Sequence, residues 1–191
     1  DLTPIDNRPA DFTSIARVGA MGVDLMLTDS LRVETAGFTP SERTLLTAID
    51  NAARTTIGKF VFTTISSSIS RIDMAIQAAV RYNRKVALAG RCVAQNVEAA
   101  AKCGYIKIPK DAVIDVKQIN RYKPNQIAIV IAGSQGQEGS AMQRLAAGEH
   151  QFIKLKANDH VVISADAIPG TESDVYGLID TLYKQEIRVS Y

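Results

Sequence analysis

Five short segments of the chain, TDS (28–30), TTISSSISR (63–71), AGR (89–91), AGSQGQEGS (132–140) and SADAIPGTES (164–173), follow apolar runs and are rich in Gly, Ser and Thr. Small residues let backbone N–H groups approach an anion, hydroxyls add donors, and a helix starting just beyond brings unpaired N–H groups and a partial positive charge. That combination suits phosphate oxygens. Two of the loops also bring arginines, Arg71 and Arg91, and one carries an acidic residue, Asp29, at a strand end. Ser, Thr and Gly also cap helices and turn chains, and a lone arginine beside a turn is equally a solvated surface residue, so each loop alone has a structural reading. Five in one chain point to an anion.

Other chemistries find less support. Gly133, Gly136 and Gly139 follow a strand and precede a helix, but their spacing is GxxGxxG rather than GxGxxG, and no Walker lysine follows. His150 and His160 are the only histidines and have no Cys or His at ligand spacing, so no zinc site and no metal ligand is assigned within the span. There is no GxSxG nucleophile elbow. Cys92 and Cys103 fall in one helical segment, roughly 16 Å apart at about 1.5 Å per residue, too far for a disulfide; free thiols suit a reducing cytoplasm.

The loops need elements to position them. Phe12, Ile15 and Val18 have helical spacing, and VDLMLTDS (23–30) reads as a strand. In TPSERTLLTAIDNAART, Thr39 is placed as N-cap, Pro40 as the first helical residue and Glu42 as the closing member of a capping box. Strand and amphipathic helix then alternate: KFVFTT (59–64) before Ile69, Ile72, Ile76 and Val80; KVALAG (85–90) before Val93, Val97 and Ala101; QIAIVIAG (126–133) before SAMQRLAAG; HVVISA (160–165) before a helix near Ser173 to Gln185, with IRVS last. Residues 105–125 read as a short extended piece, a loop and a short helix. EHQFIKLKANDHVVIS reads as two strands joined at Asn158-Asp159, a hairpin that would make one sheet edge mixed. The class is α/β: a Rossmann-like three-layer αβα domain with a mainly parallel sheet.

Twenty-two basic against 20 acidic side chains in 191 residues is too balanced to mark a nucleic-acid binder by bulk charge, so a polyanion site must come from local arrangement. With 46% apolar residues the chain can bury a core, and no apolar run approaches the roughly 20 residues of a membrane span. It starts at Asp1 without a methionine and stops in a strand-like IRVSY, and so reads as a piece of a longer protein.

In order, DLTPIDNRPADF, GVDLMLTDS, GFTPSER, SRIDMAIQAAVRYNRKVALAGR, IAGSQGQEGSAMQRLAAGEH and VVISADAIPG resemble the middle of a ribonuclease J, in the beta-CASP branch of the metallo-beta-lactamase superfamily. The resemblance covers nearly the whole chain. It implies a nuclease that processes RNA from the 5′ end and also cuts internally, with two zinc ions in a lactamase-like domain over which the beta-CASP domain closes. Residues 1–35 would end the first lactamase half, 36–186 would be the beta-CASP domain, and 187–191 would lead back to the lactamase domain. Asp29 matches the family's first beta-CASP motif, a supporting position near the metals, although Leu31 and Arg32 follow Ser30 where the family has Ser-Thr-Asn. Ser67, Ser68 and Arg71 match the stretch that faces RNA, with Ile65 in place of an aromatic and Ser68 in place of Asn. Gly133, Ser134, Gln135 and Gly136 match the family's Gly-Ser loop, with Gln137-Glu138 replacing Glu-Pro at its rim.

The family's zinc ligands lie outside this span, and Asp1 is not taken as one. Zinc is therefore expected in the full-length parent and no cofactor in this piece, which should not cleave RNA by itself. The implied partners are single-stranded RNA, the remaining lactamase domain, and further subunits in a homo- or hetero-oligomer; the implied location is the cytoplasm. Two alternatives stay open: a Rossmann-like binder of a nucleotide or sugar phosphate, and a degenerate, non-catalytic nuclease subunit.

Overall fold

The computed structural model describes residues 10–30 and 33–191, so Asp1, Leu31 and Arg32 lie outside the described residues. The chain divides into two compact units, Asp1–Leu45 and Leu46–Tyr191. In the first, helix α1 (Phe12–Met21) is capped by Asp11, whose carboxylate accepts from the Ser14 N–H at 2.9 Å and the Ser14 hydroxyl at 2.6 Å. Gly22, with φ 87°, ends it. The strand expected over 23–30 does not form: these residues are irregular and exposed, Leu25 at 77% and Leu27 at 88%. A mostly apolar run does not by itself make a strand, whose backbone groups need a paired neighbour. The capping expectation also shifts. Ser41, not Thr39, accepts the first amide, from Arg43 at 3.4 Å, and opens a 3-10 turn, Glu42–Thr44, that feeds helix α2 (Leu45–Thr55). Thr39 precedes a proline, which disfavours helical backbone there, and Ser41 is the next side chain able to cap.

The second unit holds strands β1 (Phe60–Thr64), β2 (Lys85–Ala89), β3 (Val113–Ile114), β4 (Ile127–Ala132), β5 (His160–Ile163) and β6 (Arg188–Ser190). They form one sheet in the order β3-β2-β4-β1-β5-β6, with every pair parallel. Helices α3 (Ile69–Arg81), α4 (Arg91–Lys102), α5 (Ala141–Ala146) and α6 (Glu172–Tyr183) make the crossovers. The path from β1 through α3 to β2 runs toward β3, while the paths through α5 and α6 run toward β6. Right-handed crossovers in opposite directions put α3 with α4 on one face and α5 with α6 on the other. Both faces being covered explains why Phe60–Thr64 and Ile127–Ile131 are buried without a polar break. On the α5/α6 face, Val61, Ala87, Ile129 and Val161 stand in register and pack with Met142, Leu145, Leu178 and Leu182.

The mixed edge is corrected. Residues 150–159 form no strand, because their amides are captured locally: His150 Nδ1 accepts from Phe152 N at 3.3 Å and Ile153 N at 3.2 Å. Asp159 then closes a turn, accepting from Lys156 N at 2.9 Å and from Lys59 N at 2.7 Å while pairing with Lys59 Nζ at 2.8 Å. Asp159 thus ties the turn to the start of β1, and the chain enters β5 parallel to it. β6 is part of the same sheet and the same unit.

His160, 2% exposed, lies between the Thr56 hydroxyl at 3.1 Å and the Ser190 hydroxyl at 2.8 Å. Burial, then the Arg188 cation, pushes its pKa down to about 4. The unfolded imidazole protonates near 6.5, so between about 6.5 and 4 unfolding takes up a proton and acid favours the unfolded chain. Denaturant titrations at a series of pH values should show stability constant in this respect above pH 6.5 and falling by about 3 kcal/mol toward pH 4. His160→Gln should remove most of that slope.

Candidate nucleic-acid interface

Register decides which loops meet. Thr64 stands opposite Ala132, Ala89 opposite Ile131 and Ile163 opposite Thr63, so the segments beginning at Ile65, Gly90, Gly133 and Ser164 leave from one edge of the sheet. With strands about 4.8 Å apart, these four loops span roughly 15 Å. β1 and β4 are neighbours whose crossovers depart in opposite directions, which opens a crevice between their loops.

After β1, the Ser68 amide turns back onto the Ile65 carbonyl at 2.9 Å and that of Ile69 onto the Ser67 carbonyl at 2.9 Å. Ser67 is exposed, and Ser68 is the N-cap of α3 without a side-chain capping bond. Asn96 on α4 donates to the Ser66 carbonyl at 2.7 Å and so ties this loop to the neighbouring helix. Arg71, half-buried one turn into α3, donates from Nη1 to the Ser164 carbonyl at 2.8 Å, an oxygen that also accepts from the Thr64 hydroxyl at 2.8 Å. It therefore joins the β1 and β5 loops. Arg91 is exposed at the start of α4, immediately after Gly90 with φ 113°.

The loop after β4 is a brace. A Cβ on Gly133, at φ 108°, would meet Ser140 Oγ at 2.9 Å, and one on Gly136, at φ 69°, would overlap the Asp174 carbonyl. Only glycine fits at either place. Ser134 and Gln135 are 2% and 5% exposed. The Gln135 amide donates to the Asp166 carbonyl at 3.0 Å and accepts from Ile168 N and the Thr171 hydroxyl, both at 2.8 Å. Its polar atoms are directed to the β5 loop, so its part in any interface is to position that loop.

The rim is electrostatically divided. The first turns of α3 and α4 carry no acidic residue, whereas α6 begins with Glu172 and Asp174, and Glu172 accepts from Gly170 N at 2.7 Å. Between α5 and α6 lies a groove of about 270 Å³ lined by Gly136, Glu138, Asp174 and Leu178 among others, a poor place for a phosphate. Asp29 is in the first unit, exposed, with the Thr28 hydroxyl donating to its carbonyl at 3.2 Å. His160 lies at the amino end of β5, at the far side of the sheet from the rim, and Cys92 and Cys103 are exposed and free. Among the described residues no group of three or more His, Cys, Asp and Glu could hold a metal ion. No described helix is long and apolar enough to cross a membrane.

Sequence reasoning does not find Asn96, Thr64, Ser164 or Thr171 as the members that lock the rim. Each acts on a loop from an element non-adjacent in sequence, and only the strand order makes them neighbours.

Fold and rim together define a doubly wound α/β domain whose strand-end loops converge from both faces of the sheet. The profile of the family described as "Ribonuclease J, beta-CASP domain" matches residues 57–182, and the chain belongs to that family. It is 42% identical over 191 residues to a ribonuclease J of Helicobacter pylori, all of this chain and 28% of that protein. To the ribonuclease J of Mycolicibacterium smegmatis it is 34% identical over 189 residues, 99% of this chain and 34% of that protein. To that of Synechocystis it is 37% identical over 191 residues, all of this chain and 30% of the relative. The chain thus spans about a third or less of the length of these relatives.

Gln135→Ala would leave the Ile168 amide without its acceptor. The expected result is a loss of about 1–3 kcal/mol in urea denaturation, with hydrogen exchange accelerated over residues 166–171.

Proposed function

We propose that this chain is the RNA-holding part of a ribonuclease J-like, zinc-dependent nuclease of RNA processing and decay, which degrades from the 5′ end and also cuts internally. The carboxyl rim of the sheet receives the sugar-phosphate backbone of a single RNA strand. The observation that supports this best is the convergence of the β1, β2 and β4 loops on one edge, beside two helix N-termini free of first-turn acids and the exposed Arg91. Ser67, Ser68 and the Gly133–Gly136 backbone are the other proposed contacts, Arg71 and Gln135 act through the β5 loop, and Asp29 serves the metal-proximal motif from the first unit.

Hydrolysis of a phosphodiester needs an activated water, which zinc supplies in the parent enzyme. The ligands for it come from outside this chain, and the isolated 191-residue chain binds RNA without cleaving it. The partner that supplies them is the lactamase domain. In support, α1 buries none of its residues and leaves Phe12, Ile15, Val18 and Met21 exposed at 52–80%, an apolar stripe without a covering surface in its own unit. Oligomers of the full-length protein and a reducing, cytoplasmic location, compatible with free Cys92 and Cys103, complete the reading.

Binding of a labelled single-stranded RNA across a salt series tests it. Affinity should fall steeply with salt, and Arg91→Ala should lower the slope by about one ion without changing stability. Salt-independent binding, or mononucleotides held as tightly as RNA, would replace this reading with a small-ligand pocket.

A further inference from the structure

Resting on that RNA reading, we infer that Tyr176 and Tyr191 form a stacking platform for an unpaired nucleobase at the β5/β6 end of the rim. In the β1 loop Ile65 stands where the resemblance implies an aromatic, which leaves little surface there for base stacking. The structure places aromatic surface on the same edge by a different route.

Tyr191 follows β6 directly and Tyr176 lies in the second turn of α6, both at the carboxyl end of the sheet. Their rings meet edge to face, centroids 6.4 Å apart and planes at 83°. Such a contact uses only one ring face, leaving the others to the surroundings. Tyr176 is 56% exposed. Two further tyrosines are as exposed, Tyr105 and Tyr183, but they follow α4 and end α6 respectively, at the opposite end of the sheet from the rim.

The pair is held in place. The Tyr191 hydroxyl accepts from Ala167 N at 3.1 Å, in the same loop whose Ser164 carbonyl Arg71 holds and whose Ile168 amide Gln135 holds. One rigid loop therefore links the proposed phosphate contacts to the aromatic pair, two strand spacings, or about 10 Å, beyond β1. The division of charge assigns the two halves of the rim. Glu172 and Asp174 at the head of α6 repel a phosphate but tolerate a neutral base, whose amino groups they can accept. The backbone then lies over β2, β4 and β1, with bases turned toward β5 and β6.

Anisotropy titrations of the 191-residue chain with a labelled RNA of about ten nucleotides, and with the same strand made fully abasic, decide the matter. Tyr176→Ala should weaken intact RNA about 10-fold and leave abasic RNA unchanged, while Tyr176→Phe binds both as the wild type does. The platform is refuted if Tyr176→Ala binds intact RNA normally, if it loses abasic RNA equally, or if the wild type holds intact and abasic strands alike; RNA binding by the rim survives in those cases. A wild-type chain that binds neither strand removes the RNA reading and the platform with it.

Discussion

The parallel pairing of β1 with β4, Thr64 beside Ala132, is the constraint on which the rest of the second unit depends. The two strands are far apart in sequence and central in the sheet, and their crossovers leave in opposite directions. Had β2 paired directly with β1, α3 and α4 would still pack together, but the loops after β1 and β4 would not face each other. The crevice follows from strand order rather than from any loop sequence. Because both strands are buried on both faces, a slip in register would force Thr63 and Thr64 against different partners and separate the Thr64 hydroxyl from the Ser164 carbonyl.

The buried charged cluster and the proposed ligand contacts lie at opposite ends of this sheet. At the amino end, the 5% exposed Arg84 donates to the carbonyls of Thr56, Gly58 and Ile127, gathering the end of α2 and the entries to β1 and β4. Beside it the Lys59–Asp159 pair is buried, and Asp159 also satisfies two backbone amides. Removing one partner of such a cluster leaves a charge uncompensated, at a cost of about 3–5 kcal/mol. With that end locked, the carboxyl end can carry Gly133, Gly136 and a serine-rich turn.

Legibility followed the range of the interactions. The α/β class, every crossover helix and five of the six strands were readable because their signals are local: buried runs such as IAIVIA and helical spacing such as Ile72 and Ile76. The errors arise where a local pattern is overridden at longer range. VDLML is mostly apolar like a strand but forms none, and QFIKLK is drawn into a pinned loop by His150 and Asp159. For the candidate site, the types and loops were visible, whereas the division of labour was not. Gln135 looks like a ligand group in sequence and is 5% exposed, bonded to the β5 loop, while Tyr176 and Tyr191 give no signal at all until strand order brings α6 and β6 to the rim.

The balanced charge of the chain is consistent with this arrangement rather than opposed to it. A net charge of +2 spread evenly would steer a polyanion poorly. On this sheet the acidic residues at the rim are Glu138 in the β4 loop, Asp166 in the β5 loop and Glu172 and Asp174 at the head of α6, and the first turns of α3 and α4 are left without any. Helix N-termini contribute partial positive charge that no count of lysines and arginines records. Under the proposed function, such a rim would sort the phosphates and bases of a bound strand into its different halves.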